Sequence, residues 1–333
     1  MTNMVNLHKS FIINKIQTNK QNGKKSYLCR LIIYCIMAIN VDRKQYSFSG
    51  HESFPCKTLW LKKGYDFVTS NQDFNVPEAV VSLGVGKNMV AAVRYWYKVF
   101  GLNKGTETSW IADYVFDSET GKDPYVEDLG TLWLLHFLLI NTYEASLYKL
   151  FFVDFQKERR QFDREQVVGF VKRVMAAAGK ENLFNENTVK KDVGVLLLNY
   201  CLPRNPQSNE DFSTLLMDLD LLRQTDKTES SEDKRYRYFF NIEGKRQVTP
   251  AIFLFALLTV KEENDNSIPY DTLHELGLIF CMTELEVIDM LKYLSEAYSD
   301  ALTYSDVAGI RQLQFSQQID KKQVLDKYYE QRI

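Results

Sequence analysis

Cysteine pairs are missing from this sequence, and their absence excludes two classes of small stabilised domain. The chain has 333 residues and five cysteines, Cys29, Cys35, Cys56, Cys201 and Cys281, with no Cys-x-x-Cys spacing among them. A structural zinc site and a disulfide framework are therefore not expected. Free thiols are typical of the reducing cytoplasm, which is the predicted location.

The sequence also lacks a long hydrophobic run and an excess of charge of either sign. The apolar run from Leu31 to Ile39 is too short to cross a bilayer, which needs about 20 residues, so no membrane role is expected. The 41 Lys+Arg and 43 Asp+Glu give a net charge of -2. This balance excludes a uniformly basic nucleic-acid coat, but it permits a local basic face.

The length and the local composition predict several modules. Domains typically hold roughly 100–200 residues, and turn-rich segments divide the chain. Residues 1–40 contain six cations and no acid, so we predict a leader or disordered tail there, with residues 1–36 dispensable. The remaining boundaries predict modules at 41–122, 123–205 and 206–333.

Helical spacing of apolar residues dominates, and Val/Ile alternation is scarce. Helices are predicted at 55–69, 77–83, 87–100, 126–140, 144–156, 163–177, 187–200, 211–222, 250–260, 270–276 and 283–298. Hairpins are predicted between 236–242 and 245–248, and between 301–304 and 310–315. The expected fold class is mainly α, with tandem helix-turn-helix or winged-helix-like modules and small β-hairpins.

A helix-turn-helix is predicted at residues 76–100. Gly84 stands where a tight turn between helices needs a residue that tolerates positive φ. Met89, Val93, Trp96 and Phe100 share one face of the second helix, whereas Lys87, Ala91, Arg94 and Lys98 share another. Lys87, Asn88, Arg94 and Lys98 are therefore predicted to contact DNA, because Arg and Asn read base edges and Lys contacts phosphate. A solvated basic face remains the alternative.

Two further segments carry local charge. Lys190 and Lys191 lie near the start of a second amphipathic helix and are predicted as additional DNA contacts, with a solvated surface as the alternative. In the last module, Glu284, Glu286 and Asp289 lie on the helix that would enter DNA. Acids repel phosphate, so this module is predicted to contact a protein or to pack internally.

Three ordered blocks of sequence carry a family resemblance. Residues 48–56 (FSGHESFPC) precede 59–66 (LWLKKGYD), then LGVGKNMV at 83–90 with RYW at 94–96, then DPYVED at 123–128 with TLWLLH at 131–136. Together they resemble the bacterial domain-of-unknown-function 4007 family over about residues 46–315. The resemblance implies a DNA-acting component of gene clusters for DNA sulfur (phosphorothioate) modification and phage defence, alongside cysteine desulfurase and sulfurtransferase-like proteins.

Two clusters are candidates for a nicking site. Carboxylates that converge on Mg²⁺ are the usual requirement, and Asp123, Glu127 and Asp128 are the predicted catalytic carboxylates, with Asp123 and Glu127 as metal ligands. Helix N-terminal acids would give the same pattern. His51 and Glu52 form the second cluster, with His51 as general base, unless this loop only caps a helix that begins near Pro55 with Ser53 as N-cap.

The sequence therefore predicts a DNA-binding accessory component of a sulfur-modification and phage-defence system, which needs no cofactor and has DNA and other proteins of the complex as partners. A metal-dependent nickase that uses Mg²⁺ and a transcription regulator of the same cluster are the alternatives. Whether the protein is an enzyme stays open at this point. His136, inside an apolar helix, is predicted to be a buried, hydrogen-bonded core residue rather than a metal ligand.

Overall fold

Helices make up most of the described chain. The computed structural model describes residues 46–203, 206, 212–225, 236–242, 244, 248–307 and 310–331. The predicted tail at 1–40, with Cys29 and Cys35, lies outside them. The helices are α1 (Trp60–Thr69), α2 (Ala79–Leu83), α3 (Lys87–Val99), α4 (Trp110–Phe116), α5 (Leu129–Asn141), α6 (Ser146–Lys149), α7 (Gln156–Glu158), α8 (Arg164–Ala177), α9 (Glu186–Tyr200), α10 (Pro250–Val260), α11 (Tyr270–Ile279), α12 (Glu284–Ala297) and α13 (Lys321–Glu330). A π-helical turn (Leu150–Phe155) joins α6 to α7, and 3-10 turns lie at Glu181–Leu183 and Met217–Leu219.

The described strands form three small antiparallel sheets. They are β1 (Asn103–Lys104), β2 (Glu107–Thr108), β3 (Gln161–Phe162), β4 (Leu222–Gln224), β5 (Tyr238–Phe240), β6 (Ser267–Pro269), β7 (Leu302–Val307) and β8 (Ile310–Phe315). Strands β1 and β2 pair alone, and the other sheets have the orders β3-β5-β4 and β6-β8-β7. The fold is therefore mainly α with a small β content, as the sequence predicts.

The hairpin predicted at 301–315 is confirmed, because β7 pairs with β8 from Leu302 opposite Phe315 to Val307 opposite Ile310. The partner predicted for residues 236–242 is wrong, since β5 pairs with β3 and β4. The helix predicted at 211–222 is also wrong over the described part of that range. Residue 214 bridges to Lys57, and the chain turns at Asp220 with a left-handed φ of 47° before β4. Tertiary pairing here overrides local apolar spacing.

Helix α1 begins five residues later than predicted, at Trp60 rather than Pro55. The preceding residues run extended beside 213–215, where Thr58 N–H donates to the Ser213 carbonyl (2.8 Å) and Leu215 N–H donates to the Cys56 carbonyl (2.9 Å). This pairing uses the backbone groups that a first helical turn would need. The Ser53 cap proposed for that helix is therefore absent.

One hydrophobic core connects the described residues from Cys56 to Tyr329. Helices α5 and α10 are apolar on all sides, which is typical of helices enclosed by protein. Trp133 and Phe137 of α5 contact Phe280, and Phe137 also meets Phe255 of α10. The division into three modules stays a prediction, and residues of all three predicted modules lie in this core.

His136 lies in that core with no exposed surface, as predicted. Its Nδ1 is 2.8 Å from the Tyr200 hydroxyl and its Nε2 is 2.7 Å from the Ile279 carbonyl. Both ring nitrogens are therefore satisfied within the protein. The three described cysteines, Cys56, Cys201 and Cys281, are buried and are not joined in a disulfide.

Helix α13 packs back onto the first half of the chain. The Tyr114 hydroxyl donates to Asp326 (2.9 Å), Thr131 and Tyr329 share a hydrogen bond (2.8 Å), and the Tyr328 hydroxyl donates to Asp128 (2.9 Å). Within the described ranges, no helix has both the length and the apolar character needed to cross a membrane.

Candidate nucleic-acid interface

The turn between α2 and α3 forms as its glycines predict. Gly84 ends α2 in the left-handed region (φ 63°), and Gly86 starts α3 in an extended conformation. A Cβ at Gly84 would meet no atom within 4 Å, so the backbone angle rather than crowding favours glycine there. Leu83 and Val90 close a small apolar cluster beneath the turn.

Helix α3 presents the two predicted faces. Val93, Trp96 and Phe100 are buried, and Met89 is half-buried at the edge of the same face. The opposite face is exposed and carries the predicted DNA contacts Lys87, Asn88, Arg94 and Lys98. Amphipathic spacing therefore places all three cations of this helix in solvent.

A groove of about 1520 Å³ runs along the exposed face of α3. All four predicted contacts line it. Its other borders are the loop between α1 and α2 (residues 71–77), the β1–β2 hairpin, and Glu52. The polar lining is rich in side-chain amides, from Asn71, Gln72, Asn75, Asn88 and Asn103.

Arg94 is held in place by the α1–α2 loop. Its Nη1 donates to Asn75 Oδ1 (2.6 Å), and the Asn75 backbone N–H and Nδ2 donate to Asp73 Oδ1 at 2.9 and 2.7 Å. Phe74, between them, packs against Phe67 with 4.5 Å between ring centroids. An apolar anchor thus fixes a polar turn that orients the guanidinium.

The two lysines of the groove differ in their partners. Lys98 Nζ lies 2.8 Å from Glu144 Oε2, and both side chains are about half exposed. Such exposed pairs contribute little stability and exchange readily with solvent or ligand. Lys87 makes no ion pair with any residue that the structure describes. Its charge is therefore the least neutralised along this face.

The second predicted basic region lies away from this groove. Lys190 Nζ is 2.9 Å from Glu186 and 3.4 Å from Glu165. The hydrogen bond that Lys190 donates to Glu186 raises the pKa of Lys190. Lys191 is exposed beside it. Two carboxylates thus offset the charge of Lys190, and neither lysine is among the residues that line the α3 groove.

The first block of the family resemblance, at 48–56, lies in a loop of residues 47–56 that packs between α3, α6 and α9. His51 is buried, with Nε2 2.9 Å from Asp192 Oδ1 of α9, and its Nδ1 accepts the Ser53 N–H (3.0 Å). The Ser49 N–H donates to Asp192 Oδ2 (2.9 Å). Since Nδ1 accepts a backbone proton, the neutral ring donates through Nε2 to Asp192. Both nitrogens of the predicted general base are thus engaged.

Glycine is required at the centre of this loop. Gly50 has φ 107°, and a Cβ there would lie 2.5 Å from the Tyr95 ring. Trp96 Nε1 donates to the Phe54 carbonyl (3.0 Å), which ties the end of the loop to α3. Glu52 is exposed with φ 49° and lines the α3 groove, so His51 and Glu52 point to different surroundings.

The predicted carboxylates at 123–128 organise the start of α5. Asp123 is buried and accepts the N–H groups of Glu127 and Asp128, both at 2.9 Å. Asp128 caps α5 by accepting the Thr131 N–H at 3.0 Å. Val126 sits between them with φ 56°. The geometry matches the helix-terminus alternative for Asp123 and Asp128, while Glu127 is exposed.

Sequence reasoning missed Asp73, Asn75 and Asp192. Asp73-x-Asn75 is the pattern of a side-chain-stabilised turn, and this signal was present in the sequence. Asp192 lies between Val189 and Val193 on the buried face of α9. An acid on an apolar face is a recognisable sign of a buried partner.

Comparison with known proteins places the chain in a family. Residues 48–329 match the family described as "Protein of unknown function (DUF4007)". The curated proteins include no match to this sequence. A solved structure described as "SspB crystal structure" is similar with a TM-score of 0.73 at 27% identity, over 86% of this chain and 88% of that chain. A second, "Magnesium ion-bound SspB crystal structure", has a TM-score of 0.71 at 25% identity over the same shares.

Proposed function

The chain belongs to the DUF4007 family, and from that premise we propose that it is a DNA-binding accessory component of a bacterial DNA sulfur-modification and phage-defence system. The family resemblance and the likeness to SspB support the setting. The proposed place of action is the cytoplasm. The proposed DNA contact is the α3 groove.

One observation carries the DNA contact. Lys87, Asn88, Arg94 and Lys98 are all exposed and all line the same groove. Cations on one continuous face neutralise phosphates of a backbone, and Arg and Asn supply directional donors for base edges. In this proposal α2 and α3 are a helix-turn-helix pair.

The last part of the described chain is the proposed protein contact. Residues 250–315 follow the order helix, strand, helix, helix, hairpin, and we assign them to a winged-helix module with β7 and β8 as the wing. On its surface Leu285 and Tyr293 of α12 are 67% and 55% exposed, and Val307 and Ile310 at the wing tip are 69% and 63% exposed.

Charge favours a basic protein partner for this surface. Arg311 is bound by Glu284 (2.7 Å) and Asp306 (3.1 Å), so its charge is offset, and Asp289 is exposed beside Leu285 on α12.

A Leu285→Arg, Asp289→Arg variant should lose co-purification with the cysteine desulfurase of the same gene cluster while its DNA affinity is kept. Unchanged co-purification contradicts this contact.

Charge reversal tests the DNA contact. A Lys87→Glu, Arg94→Glu, Lys98→Glu variant should weaken DNA binding. The magnitude of the slope of log K against log[salt] should fall by about 2–3 for three lost phosphate contacts, at roughly 0.7 per phosphate on a single strand and 0.9 on a duplex. Fluorescence anisotropy with labelled DNA at several salt concentrations measures both quantities.

The matched control reverses three exposed lysines elsewhere. Lys292→Glu, Lys322→Glu, Lys327→Glu changes the net charge by the same amount on α12 and α13. It should leave most of the affinity and the slope intact. Equal losses in the two variants would mean that only net charge matters, and the α3 groove would not be the DNA contact.

Magnesium-dependent DNA nicking is the second candidate function, and the magnesium-bound state of a similar structure favours it. Within the described ranges no three His, Cys, Asp or Glu side chains are grouped so as to hold a metal ion. Asp123 already holds two backbone N–H groups. Mg²⁺ often binds through only one or two carboxylates and keeps several waters, so the exposed Glu127 stays a candidate ligand.

A plasmid nicking assay with Mg²⁺ tests the second candidate. Glu52→Ala and Glu127→Ala are the informative variants, because both side chains are exposed and their loss leaves the fold intact. His51→Ala and Asp123→Ala remove buried hydrogen bonds as well, so their stability must be measured alongside. Undiminished nicking in both glutamate variants excludes those residues from catalysis.

A further inference from the structure

The α1–α2 loop lies against the face of α3 that would enter a DNA major groove. The contact is at mid-helix, where Arg94 donates to Asn75 at 2.6 Å. The β1–β2 hairpin borders the same groove through Asn103 and Glu107. The exposed side of α3 is therefore one wall of the α3 groove. The α1–α2 loop and the β1–β2 hairpin lie along it, so this side of the helix does not project freely from the surface.

A duplex does not accommodate this arrangement. The major groove is about 12 Å wide and 8.5 Å deep, and an α-helix with its side chains is about 10–12 Å across. The helix alone fills that space. A loop hydrogen-bonded to the exposed face of α3 would have to enter the groove with it.

Charge around the α3 groove is also one-sided. The cations Lys87, Arg94 and Lys98 all come from α3, whereas the acids Glu52, Asp73 and Glu107 come from the segments that border it. A duplex presents two phosphate strands, one of which would meet these acids. A single strand places its one row of phosphates along α3.

The remaining lining suits unpaired bases. The side-chain amides of Asn71, Gln72, Asn88 and Asn103 supply both donors and acceptors. Phe74 and Tyr95, which are half-buried, supply part of the apolar lining of the same groove. Amides bind the edges of unpaired bases.

We propose that the α3 groove binds a single strand of DNA, with its phosphates along Lys87, Arg94 and Lys98 and its bases toward the amide side. This inference rests on the proposed function, because it names the form of DNA that the same face takes. Asn75 is a positioning residue that holds the Arg94 guanidinium toward the strand.

The test compares the two forms of one sequence. The full chain is titrated into a fluorescein-labelled 20-nucleotide strand without self-complementarity, and into the same strand annealed to its complement. The single strand should bind at least about tenfold more tightly. For the single strand, the Lys87→Ala, Arg94→Ala, Lys98→Ala variant should lower the magnitude of the slope of log K against log[salt] by about 2, at roughly 0.7 per phosphate contact.

A double-mutant cycle tests the role of Asn75. Asn75→Ala should weaken single-strand binding by about three- to tenfold, because Arg94 loses its fixed orientation. In an Arg94→Ala background the same change should have no further effect, which a merely structural role would not produce. An additional loss in that background contradicts the positioning role.

The outcomes separate the two proposals. If the duplex binds as tightly as the single strand or more tightly, and the α3 variants weaken it, the single-strand assignment is overturned while the DNA-binding function stands. If neither form binds, both are overturned.

Discussion

Asp192 is a single buried carboxylate that holds two segments together. Its carboxylate accepts hydrogen bonds from His51 Nε2 and from the Ser49 N–H, so one side chain connects the 47–56 loop to α9. His51 and Asp192 are the residue types of a catalytic base and acid. Their burial and their backbone bonds instead make them a structural clamp beneath the groove that Glu52 lines.

Removal of Asp192 should be costly. Asp192→Ala leaves the buried His51 Nε2–H and the partly buried Ser49 N–H without an acceptor, which should lower the free energy of unfolding by about 2–3 kcal/mol. Urea unfolding measures the change. Asp218→Ala, at an exposed acid on a 3-10 turn, is the control and should stay within about 0.5 kcal/mol. Equal effects in the two variants would contradict the clamp.

Asp117 offers a test by pH. The backbone N–H and hydroxyl of Thr120 and the N–H of Glu119 all donate to it, and they lower its pKa from 3.8 to about 2. The depressed pKa means that these bonds stabilise the fold fully above pH 3.8. Their contribution is lost as the pH falls toward 2, because the unfolded chain binds the proton first.

NMR titration of the Asp117 carboxyl checks this expectation. The midpoint should lie near pH 2 in the wild type and should rise in Thr120→Val, which removes the hydroxyl donor but keeps the backbone one. Thr120→Ser retains the hydroxyl and should keep the low midpoint. A midpoint near 3.8 in the wild type would show that the turn does not hold the ionised carboxylate.

The acidic turn that leads into α5 serves the start of that helix. Asp123 and Asp128 lie close in sequence and both are buried, yet their oxygens accept N–H groups at the beginning of the helix. Anionic side chains are stabilised there by the unpaired N–H groups and the helix dipole. The positive φ of Val126 folds the turn tightly enough for Asp123 to reach both.

Two neighbouring variants separate folding from catalysis in this turn. Asp123→Ala should lower the free energy of unfolding by about 2–3 kcal/mol, because two N–H groups lose their partner. Glu127→Ala, four residues along and exposed, should change it by less than about 0.5 kcal/mol. Thermal or urea unfolding of both variants measures these changes. An Asp123→Ala protein as stable as the wild type would contradict the role of Asp123 in holding the start of α5.

Strong periodicity predicted most helices of this chain, and weak periodicity hid others. The spacing of Val93, Trp96 and Phe100 fixed α3 and its exposed basic face, and the all-apolar segment at 250–260 matched α10. Helices α4 and α13 were missed because α4 has only seven residues and α13 mixes few apolar residues with many charged ones. The partners of Arg94 and Lys98 could not be predicted, because Asn75 is positioned by a turn and Glu144 is distant in sequence. The Glu186–Lys190 pair, with its i,i+4 spacing on one helix, was predictable.

The four tryptophans of the chain, Trp60, Trp96, Trp110 and Trp133, all lie in its first 133 residues. Helix α13 lies near the other end and buries Val324, Leu325 and Tyr329 in the same core. Trp110 lies beside α13, with Lys321 Nζ 6.0 Å from its ring centroid. In a Trp110→Phe background, fluorescence reports on Trp60, Trp96 and Trp133 while a substitution in α13 perturbs another part of the core. This separation allows a direct test of whether the described chain unfolds as one unit.

Leu325→Ala should lower the free energy of unfolding by about 2–5 kcal/mol, as is usual for a buried leucine. If the core is cooperative, the tryptophan fluorescence midpoint should shift together with the far-ultraviolet circular dichroism midpoint. Lys327→Ala, exposed on the same helix, should shift neither. A circular dichroism shift without a fluorescence shift would show that α13 unfolds apart from the residues that carry the tryptophans.

The return of α13 to the first half of the chain has a consequence during synthesis. Tyr114, Thr131 and Asp128 meet partners that lie 212, 198 and 200 residues later in the sequence. At about 5–20 residues per second, a ribosome takes on the order of 10–40 seconds to supply them. Throughout that interval the nascent chain exposes the side of α4 and α5 that α13 later covers. Until translation reaches α13, this surface therefore needs protection by a chaperone of the host cell.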